Sequence, residues 1–332
     1  MTQNIPEPTV EELANAPVRV PNPSPEVGEA QELPRPISLL INANSRTGRE
    51  MFPRAVELIK AAGIPLAEAV AAKNKDESFN LLRREIKAKA NLIIVGGGDG
   101  SLSLCAQELA GSETAMGVLP MGTGNTLARS LGIPVDLEGA VKTIAEGRIE
   151  AIDVGRCNKQ LFLNSVTLGL SAEIASALTK EIKQKMGLMA WPAVTSKVFY
   201  QHRPLVLKIT SPDKTYRVRT HQLVIANGRY VAGPVAVDPN ASIQSKELDV
   251  FVLGDGTKQQ LLKTAWKWVR GELKTTPEAR FFSTTELKVE SLRGKVKADV
   301  DGEINDGTPL ELSVWPRALR VVVPHNFDAD KA

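Results

Sequence analysis

Two glycine-rich loops, each closing a short apolar run, carry the clearest chemical signal in this chain. The first runs Leu92-Ile93-Ile94-Val95-Gly96-Gly97-Gly98-Asp99-Gly100-Ser101, the second Gly117-Val118-Leu119-Pro120-Met121-Gly122-Thr123-Gly124-Asn125. A β-branched run that stops at glycines reads as a buried strand ending in a tight turn. Glycine has no Cβ, so its backbone can approach a ligand closely. Two such turns on one sheet predict a single polyanionic ligand held along the sheet edge. Asp99 adds a carboxylate where phosphates would sit, which fits a Mg²⁺ bridge between protein and nucleotide.

Other chemistries leave no trace. A Walker loop needs Gly-x-x-x-x-Gly-Lys-Ser/Thr, and the chain has none. Gly96 and Gly98 have the spacing of a dinucleotide fingerprint, but Ser101 stands where its third glycine belongs. His202, His221 and His325 are too far apart for a His-Glu-x-x-His metal site, and there is no Gly-x-Ser-x-Gly elbow. Cys105 and Cys157 are the only cysteines and lack metal-ligand spacing, which predicts a reducing, cytoplasmic setting. A formal charge of +3 over 332 residues is too small to point to nucleic acid.

The elements that must position the loops follow from periodicity. Residues 1–36 are rich in proline and glutamate and are expected to be a disordered tail. Ile37–Ile41 reads as a strand, followed by a polar turn from Asn42 to Gly48 and a helix over Met51–Ala62. A weak strand at 65–70, a helix over Glu77–Lys89, the strand Leu92–Val95 and a helix to about Leu109 come next. The strand Met116–Leu119, a helix from Asn125 and another over Leu137–Glu146 complete the pattern. Strands alternating with helices predict an α/β, Rossmann-like parallel sheet over residues 37–152, with its ligand beyond the carboxyl ends of the strands.

After about Ile152 strand-like runs dominate: Leu161–Val166, Leu205–Ile209, Tyr216–Ile225, Leu248–Leu253, Glu286–Val289, Leu310–Trp315 and Leu319–Val323. They predict a second, mainly antiparallel β domain over 153–307, with 308–325 returning to complete the first. Helical interruptions are expected at 173–200 and 258–270. No apolar run approaches the roughly 18–20 residues of a membrane span.

A third motif, Asp299-Val300-Asp301-Gly302-Glu303, lies far downstream of the two loops. In this order the three motifs resemble the diacylglycerol kinase catalytic-domain family, the bacterial lipid kinases and their sphingosine and ceramide kinase relatives. The resemblance runs from about Ile37 to Val323. Asp153-Val154-Gly155, Phe162-Leu163-Asn164, Gly169, Ala172, Asn227-Gly228-Arg229 and Gly233 also match.

The resemblance implies ATP, Mg²⁺ and a lipid alcohol. It places the ATP phosphates on Gly97, Gly98, Asp99, Gly100 and Ser101, at the N-terminus of a helix. Gly122, Thr123, Gly124 and Asn125 would form the other side of the nucleotide site. Asn42, Ser45 and Gly48 would close it, with Arg46 or Arg49 available to a phosphate. A Mg²⁺-linked network falls to Asp99 and Asp153. Asp301 or Glu303 would take the acceptor's proton as general base, Asp301 first. By itself, Asp301-Gly302 is a hairpin-turn signal.

The chain departs from the family pattern at several positions. Thr126 stands where many members have aspartate, and Ser103 and Leu104 where asparagine and glutamate are usual. Gln244-Ser245-Lys246-Glu247-Leu248 replaces a turn that binds a structural Mg²⁺, so no structural Mg²⁺ is expected there. Ala232-Gly233-Pro234 replaces a glycine triplet. Two basic, tryptophan-containing segments, 257–274 and 180–203, are candidates for peripheral contact with the inner face of the membrane. Two other readings stay open at this point: a kinase for a soluble metabolite such as NAD, and a catalytically silent nucleotide-binding regulator. Oligomeric state leaves no mark in the sequence.

Overall fold

A computed structural model describes residues 37–178, 190–233, 235–236, 241–269 and 279–331. The expected tail, 1–36, lies outside the described residues. The N-terminal half alternates strands and helices: β1 (Ile37–Asn42), α1 (Arg46–Ala61), β2 (Leu66–Ala72), α2 (Lys75–Lys87), β3 (Leu92–Gly97), α3 (Asp99–Leu109) and β4 (Ala115–Pro120), then the short α4 (Thr126–Ser130) and α5 (Leu137–Glu146). The strands are parallel, in the order β2-β1-β3-β4. Every residue of β3 and β4 is buried, because a parallel sheet is covered on both faces. Burying a single Leu, Ile or Val here contributes about 1.5–3 kcal/mol.

The strand order fixes where a ligand can sit. The chain steps outward from β1 to β2, then back past β1 to β3 and on to β4. Right-handed crossovers therefore send α1 to one face and α2 and α3 to the other. The contacts agree, since α2 packs on α3 and α1 packs on α5. The helices after β1 and β3 leave in opposite directions, which opens a crevice beyond the carboxyl ends of these adjacent strands. Asn42 ends β1, and Gly96 and Gly97 end β3.

The start of α1 differs from the sequence reading. Helix α1 starts at Arg46, so Arg46, Thr47 and Gly48 are helical rather than part of a turn. Ser45 is the N-cap, its hydroxyl accepting the Gly48 N–H at 2.9 Å. The helix continues through Pro53.

The C-terminal half is β-rich and mainly antiparallel. It contains β5 (Arg148–Cys157), β6 (Gln160–Phe162), β7 (Ser165–Gly169), α6 (Leu170–Ala177), α7 (Ala190–Gln201), β8 (Leu205–Thr210), β9 (Thr215–Ala226), β10 (Tyr230–Ala232) and β11 (Val235–Ala236). The chain ends with β12 (Leu248–Gly254), α8 (Lys258–Val269), β13 (Ala279–Thr284), β14 (Glu286–Ser291), β15 (Ala298–Val300), β16 (Glu303–Asn305) and β17 (Leu310–Val323). Two strands differ from expectation. The run 161–166 is broken at Leu163 and Asn164, and 310–315 and 319–323 are one strand with a bulge between Trp315 and Leu319. Strands β5, β10, β11, β13, β15 and β16 are absent from the sequence reading, β5 because its apolar residues do not alternate cleanly and the others because most are short.

Strand β17 joins the two halves. Its first part pairs antiparallel with β14, residues 312–315 and 319–323 with β5, and Val321 pairs in parallel register with Met116 of β4. Among the described residues fifteen strands thus form one continuous sheet, and β10 and β11 pair with each other apart from it. Its N-terminal core includes Leu39, Ile93, Ile94 and Leu102, and its C-terminal core Phe162, Val166, Leu223 and Val250.

Candidate active site

The two glycine loops pack directly on each other. A Cβ on Gly122 would lie 2.7 Å from the Gly98 Cα, and one on Gly97 would lie 2.6 Å from the Ser101 Cβ. The Met121 N–H donates to Gly97 O at 2.9 Å. Asn125 closes the second loop in a left-handed conformation (φ 49°), and its side-chain oxygen accepts the Gly122 N–H at 2.8 Å. Asn42, at the end of β1, donates from Nδ2 to the Ser101 hydroxyl at 2.7 Å. Gly48 is pressed against the Asn42 carbonyl, where a Cβ would fall 2.0 Å away. Asn42, Ser45, Gly48, Gly97–Ser101 and Gly122–Asn125 thus converge, with Thr123 exposed on the rim.

The first turn of α3 divides its amides. Those of Ser101 and Leu102 turn back onto Gly98 O at 2.9 and 3.1 Å, so the outward donors of this turn are Asp99 and Gly100. The Asp99 carboxylate bridges the loops: Oδ1 accepts the Leu127 N–H at 3.1 Å and Oδ2 the Thr126 hydroxyl at 3.3 Å. Thr126 in turn accepts the Gly233 N–H at 3.0 Å. Just past Asn42, a cavity of about 520 Å³ is lined by Ala43, Asn44, Arg49, Phe52 and Lys73. Arg49 also donates to Ala43 O at 3.0 Å, whereas Arg46 is paired with Glu50 on the surface.

Asp301 and Gly302 form the two-residue loop of the β15–β16 hairpin. Both have positive φ (48° and 89°), as a type I′ turn requires. The Asp299 carboxylate accepts the Gly302 N–H at 2.6 Å and closes the turn. The Asp301 carboxylate points inward and accepts four bonds. Leu163 N–H (2.6 Å) and the Ser103 hydroxyl (2.7 Å) reach Oδ2, while the N–H groups of Asn164 and Ser165 (both 2.9 Å) reach Oδ1. Burial pushes its carboxyl above the usual carboxylate range, against those four bonds. The break between β6 and β7 has a physical reason, since the amides of Leu163 and Asn164, with that of Ser165 at the start of β7, face Asp301 rather than a neighbouring strand.

Gly100, Ser103, Gln107, Asp301 and Glu303 line one cavity of about 210 Å³ between α3 and this hairpin. Glu303 is exposed and pairs with Lys75 at 3.4 Å.

Asp153 lies elsewhere, 1% exposed, and shares no bonding partner with Asp99. Its Oδ2 accepts the Lys246 N–H at 2.6 Å and its Oδ1 the Arg317 N–H at 2.8 Å, which secures the turn before β12 and the bulge of β17. Burial raises its carboxyl, and the Arg317 and Lys246 amides oppose that. Asn227 donates to the carbonyls of Asp153 and Leu163, tying this anchor to the Asp301 loop. Sequence reasoning assigned no role to Asn227 or to the amides of 163–165. Their only signal was the match of Phe162-Leu163-Asn164 and Asn227-Gly228 to the family pattern.

Both cysteines are buried, and burial raises their thiols to about 12, which disfavours the thiolate form. Among the described residues no helix is long and apolar enough to cross a membrane. Of the two basic segments, α8 buries Leu261 against its own sheet and exposes Lys263 and Lys267; the side chains of Trp266 and Trp268, and residues 180–189, lie outside the described residues.

Residues 36–157 match the family model described as "Diacylglycerol kinase catalytic domain", and residues 164–323 the one described as "YegS C-terminal NAD kinase beta sandwich-like domain". The chain belongs to the diacylglycerol kinase catalytic-domain family. A Pseudomonas aeruginosa protein named "Probable lipid kinase YegS-like" is 29% identical over 86% of this chain and 94% of its own length. The Bacillus subtilis "Diacylglycerol kinase" is 25% identical over 85% and 94%. The crystal structure of a diacylglycerol kinase from Bacillus anthracis superposes with a TM-score of 0.71 over 87% of this chain and 96% of that one. At 24% sequence identity, that likeness is one of fold. Against the family pattern, the departures at Thr126 and Ser103 fall on residues bonded to Asp99 and Asp301, and Lys246 acts through its main chain.

Proposed function

We propose that this chain transfers the γ-phosphoryl group of ATP to the hydroxyl of a lipid alcohol. One observation carries the reading. The first glycine loop and the Asp-Gly-Glu hairpin, some two hundred positions apart in sequence, share the walls of one cavity through Gly100, Asp301 and Glu303. Phosphoryl transfer needs phosphates, an acceptor oxygen and a proton acceptor in line, and little other covalent chemistry.

The residues fit a nucleotide with a divalent cation. The glycines leave a cradle that a Cβ would fill, and α3 presents the amides of Asp99 and Gly100 at its positive end. Asp99 would share Mg²⁺ with the phosphates, since a carboxylate and phosphate oxygens form a hard donor set. When bound, the ion supplies neutralisation of the charge that develops on the phosphates. Asp153 enters the proposal as an anchor, because both its oxygens hold backbone amides. Arg49 and Lys73 line the larger cavity and supply positive charge for the rest of the nucleotide.

Asp301 takes the acceptor's proton. Its carboxylate is fixed by four bonds beside the cavity, whereas Glu303 is exposed and held by Lys75. A cavity of about 210 Å³ suits the alcohol end of a lipid, with the chains lying outside it. Exposed Lys263 and Lys267 on α8 support approach to an anionic membrane surface.

The test is transfer of label from ATP with Mg²⁺ to diacylglycerol, sphingoid base, ceramide, polyprenol and glycerophospholipid in mixed micelles, beside NAD. Label on one lipid supports the reading and names the acceptor. Label on NAD alone, or ATP binding with no transfer to any acceptor, overturns it.

A further inference from the structure

The Asp301 carboxylate has no vacant place for a substrate. An ionised carboxylate offers about four lone-pair directions. Three are taken by the amides of Leu163, Asn164 and Ser165, and the fourth by the Ser103 hydroxyl. The amides cannot turn away, because they belong to a main chain pinned by Asn227 and by the Asp301 N–H bond to Ser165 O at 3.0 Å. Ser103 is the one donor of the four that is a rotor, and it stands in the cavity wall.

Its position follows from the helix. Gly100, Ser103, Leu104 and Gln107 are spaced i, i+3, i+4, i+7, so they form a single stripe on α3 facing the cavity. The stripe begins at the glycine loop and passes Asp301 one turn later. Ser103 is 5% exposed, and its hydroxyl keeps two lone pairs while donating to Asp301 Oδ2 at 2.7 Å.

We propose that Ser103 is a proton relay: the acceptor hydroxyl donates to Ser103 Oγ, and Ser103 donates to Asp301. This assignment rests on the phosphotransfer reading above. As the acceptor oxygen bonds to the γ-phosphorus, the bond from that phosphorus to the β,γ-bridging oxygen breaks, and its electron pair leaves with ADP. The acceptor's proton passes to Ser103 Oγ while the proton of Ser103 passes to Asp301 Oδ2. Serine ends as it began, and Asp301 ends as a carboxylic acid that later releases its proton to water. The departure from asparagine at this position then supplies a group that can both accept and donate through one atom.

The experiment compares wild type with Ser103→Ala, using the full chain, labelled ATP, Mg²⁺ and the lipid accepted best. We expect kcat to fall about 10²-fold, at the lower end of general acid–base effects. The KM for ATP should stay within the scatter of wild type, and the melting temperature should fall modestly, because the buried Asp301 carboxylate loses one of its four donors. A proton inventory in mixtures of H₂O and D₂O should be curved for wild type, with two protons in flight, and linear for the variant. Wild-type kcat in Ser103→Ala overturns the relay, as does a lost rate with an inventory as curved as before. Should the alanine variant fail to fold, Ser103→Thr keeps the hydroxyl, and a linear inventory in that variant overturns the relay. If the wild type labels no alcohol, the phosphotransfer reading falls and the relay with it; a wild type that labels a lipid and is matched by Ser103→Ala sinks the relay alone.

Discussion

Gly122 and Gly98, on different loops, meet main chain to main chain: a Cβ on Gly122 would stand 2.7 Å from the Gly98 Cα and 3.0 Å from Asn125 Oδ1. Both neighbours are held. Gly98 O anchors the first turn of α3, and Asn125 bonds the Gly122 amide. Gly122→Ala should therefore separate the loops instead of displacing a flexible side chain. Overpacking of this kind typically costs about 1–3 kcal/mol. The expected result is a lowered melting temperature together with a marked loss of ATP affinity, read by calorimetry on the same sample. Unchanged ATP affinity would mean that the loop junction is not the nucleotide site.

Asp301→Asn should cost more than a charge. An amide has one acceptor oxygen, so its NH₂ group must face either Leu163 N–H and the Ser103 hydroxyl or the amides of Asn164 and Ser165. With the NH₂ group on the first side the Ser103 hydroxyl can turn to accept from it, which leaves the Leu163 N–H facing a donor. Leaving buried donors unpaired costs about 1–3 kcal/mol. We expect phosphoryl transfer to fall by about 10²–10⁴-fold, the range of a lost general base, and the urea midpoint to move down. A variant of undiminished activity would remove Asp301 from the reaction.

The pH dependence has a definite sign. Burial raises the Asp301 carboxyl above its ordinary value, and the bonds from Leu163, Ser103, Ser165 and Asn164 only partly oppose this. A proton acceptor works when deprotonated, so kcat/KM should fall on the acid side at a pH above the ordinary aspartate value of about 3.9. Stability from this group runs the opposite way. The folded state holds the proton more tightly than the unfolded chain, so the contribution is full below about pH 3.9 and is lost as pH rises through the folded value. A pH–rate profile with no acid limb above the ordinary carboxylate range would contradict this.

Local signals were legible in the sequence and distant partnerships were not. The runs Leu92–Val95 and Met116–Leu119, each stopped by glycines, announce strand, turn and helix within ten residues, and the structure has all three. The type I′ turn at Asp301-Gly302 is local too. What surrounds the Asp301 carboxylate is not, because three of its donors are main-chain amides of Leu163, Asn164 and Ser165, and side-chain identity says nothing about where an amide points. The same holds at Lys246, whose lysine side chain looks unsuited to a tight turn while its N–H holds Asp153. Ser103 could be noticed only as an exception until α3 and the hairpin were seen together. The long β17 was read as two strands because Pro316 and Arg317 interrupt the apolar alternation, whereas pairing with β5 carries the strand across that bulge.

Asp153 separates an anchoring role from a metal-linked one. Its two oxygens hold the amides of Lys246 and Arg317, and its own main chain is held by Ile243 and Asn227. Asp153→Ala leaves both amides without their acceptor and frees the β17 bulge from the turn before β12. The expected cost is about 1–3 kcal/mol, unchanged across a Mg²⁺ titration, with ATP affinity preserved well below the melting temperature. If Asp153 instead served the cation, the variant would melt like wild type and need far more Mg²⁺ to bind ATP. Thermal unfolding and ATP titration at several Mg²⁺ concentrations distinguish the two, because the anchor acts on the fold at every concentration and a metal-linked carboxylate acts only through the ion.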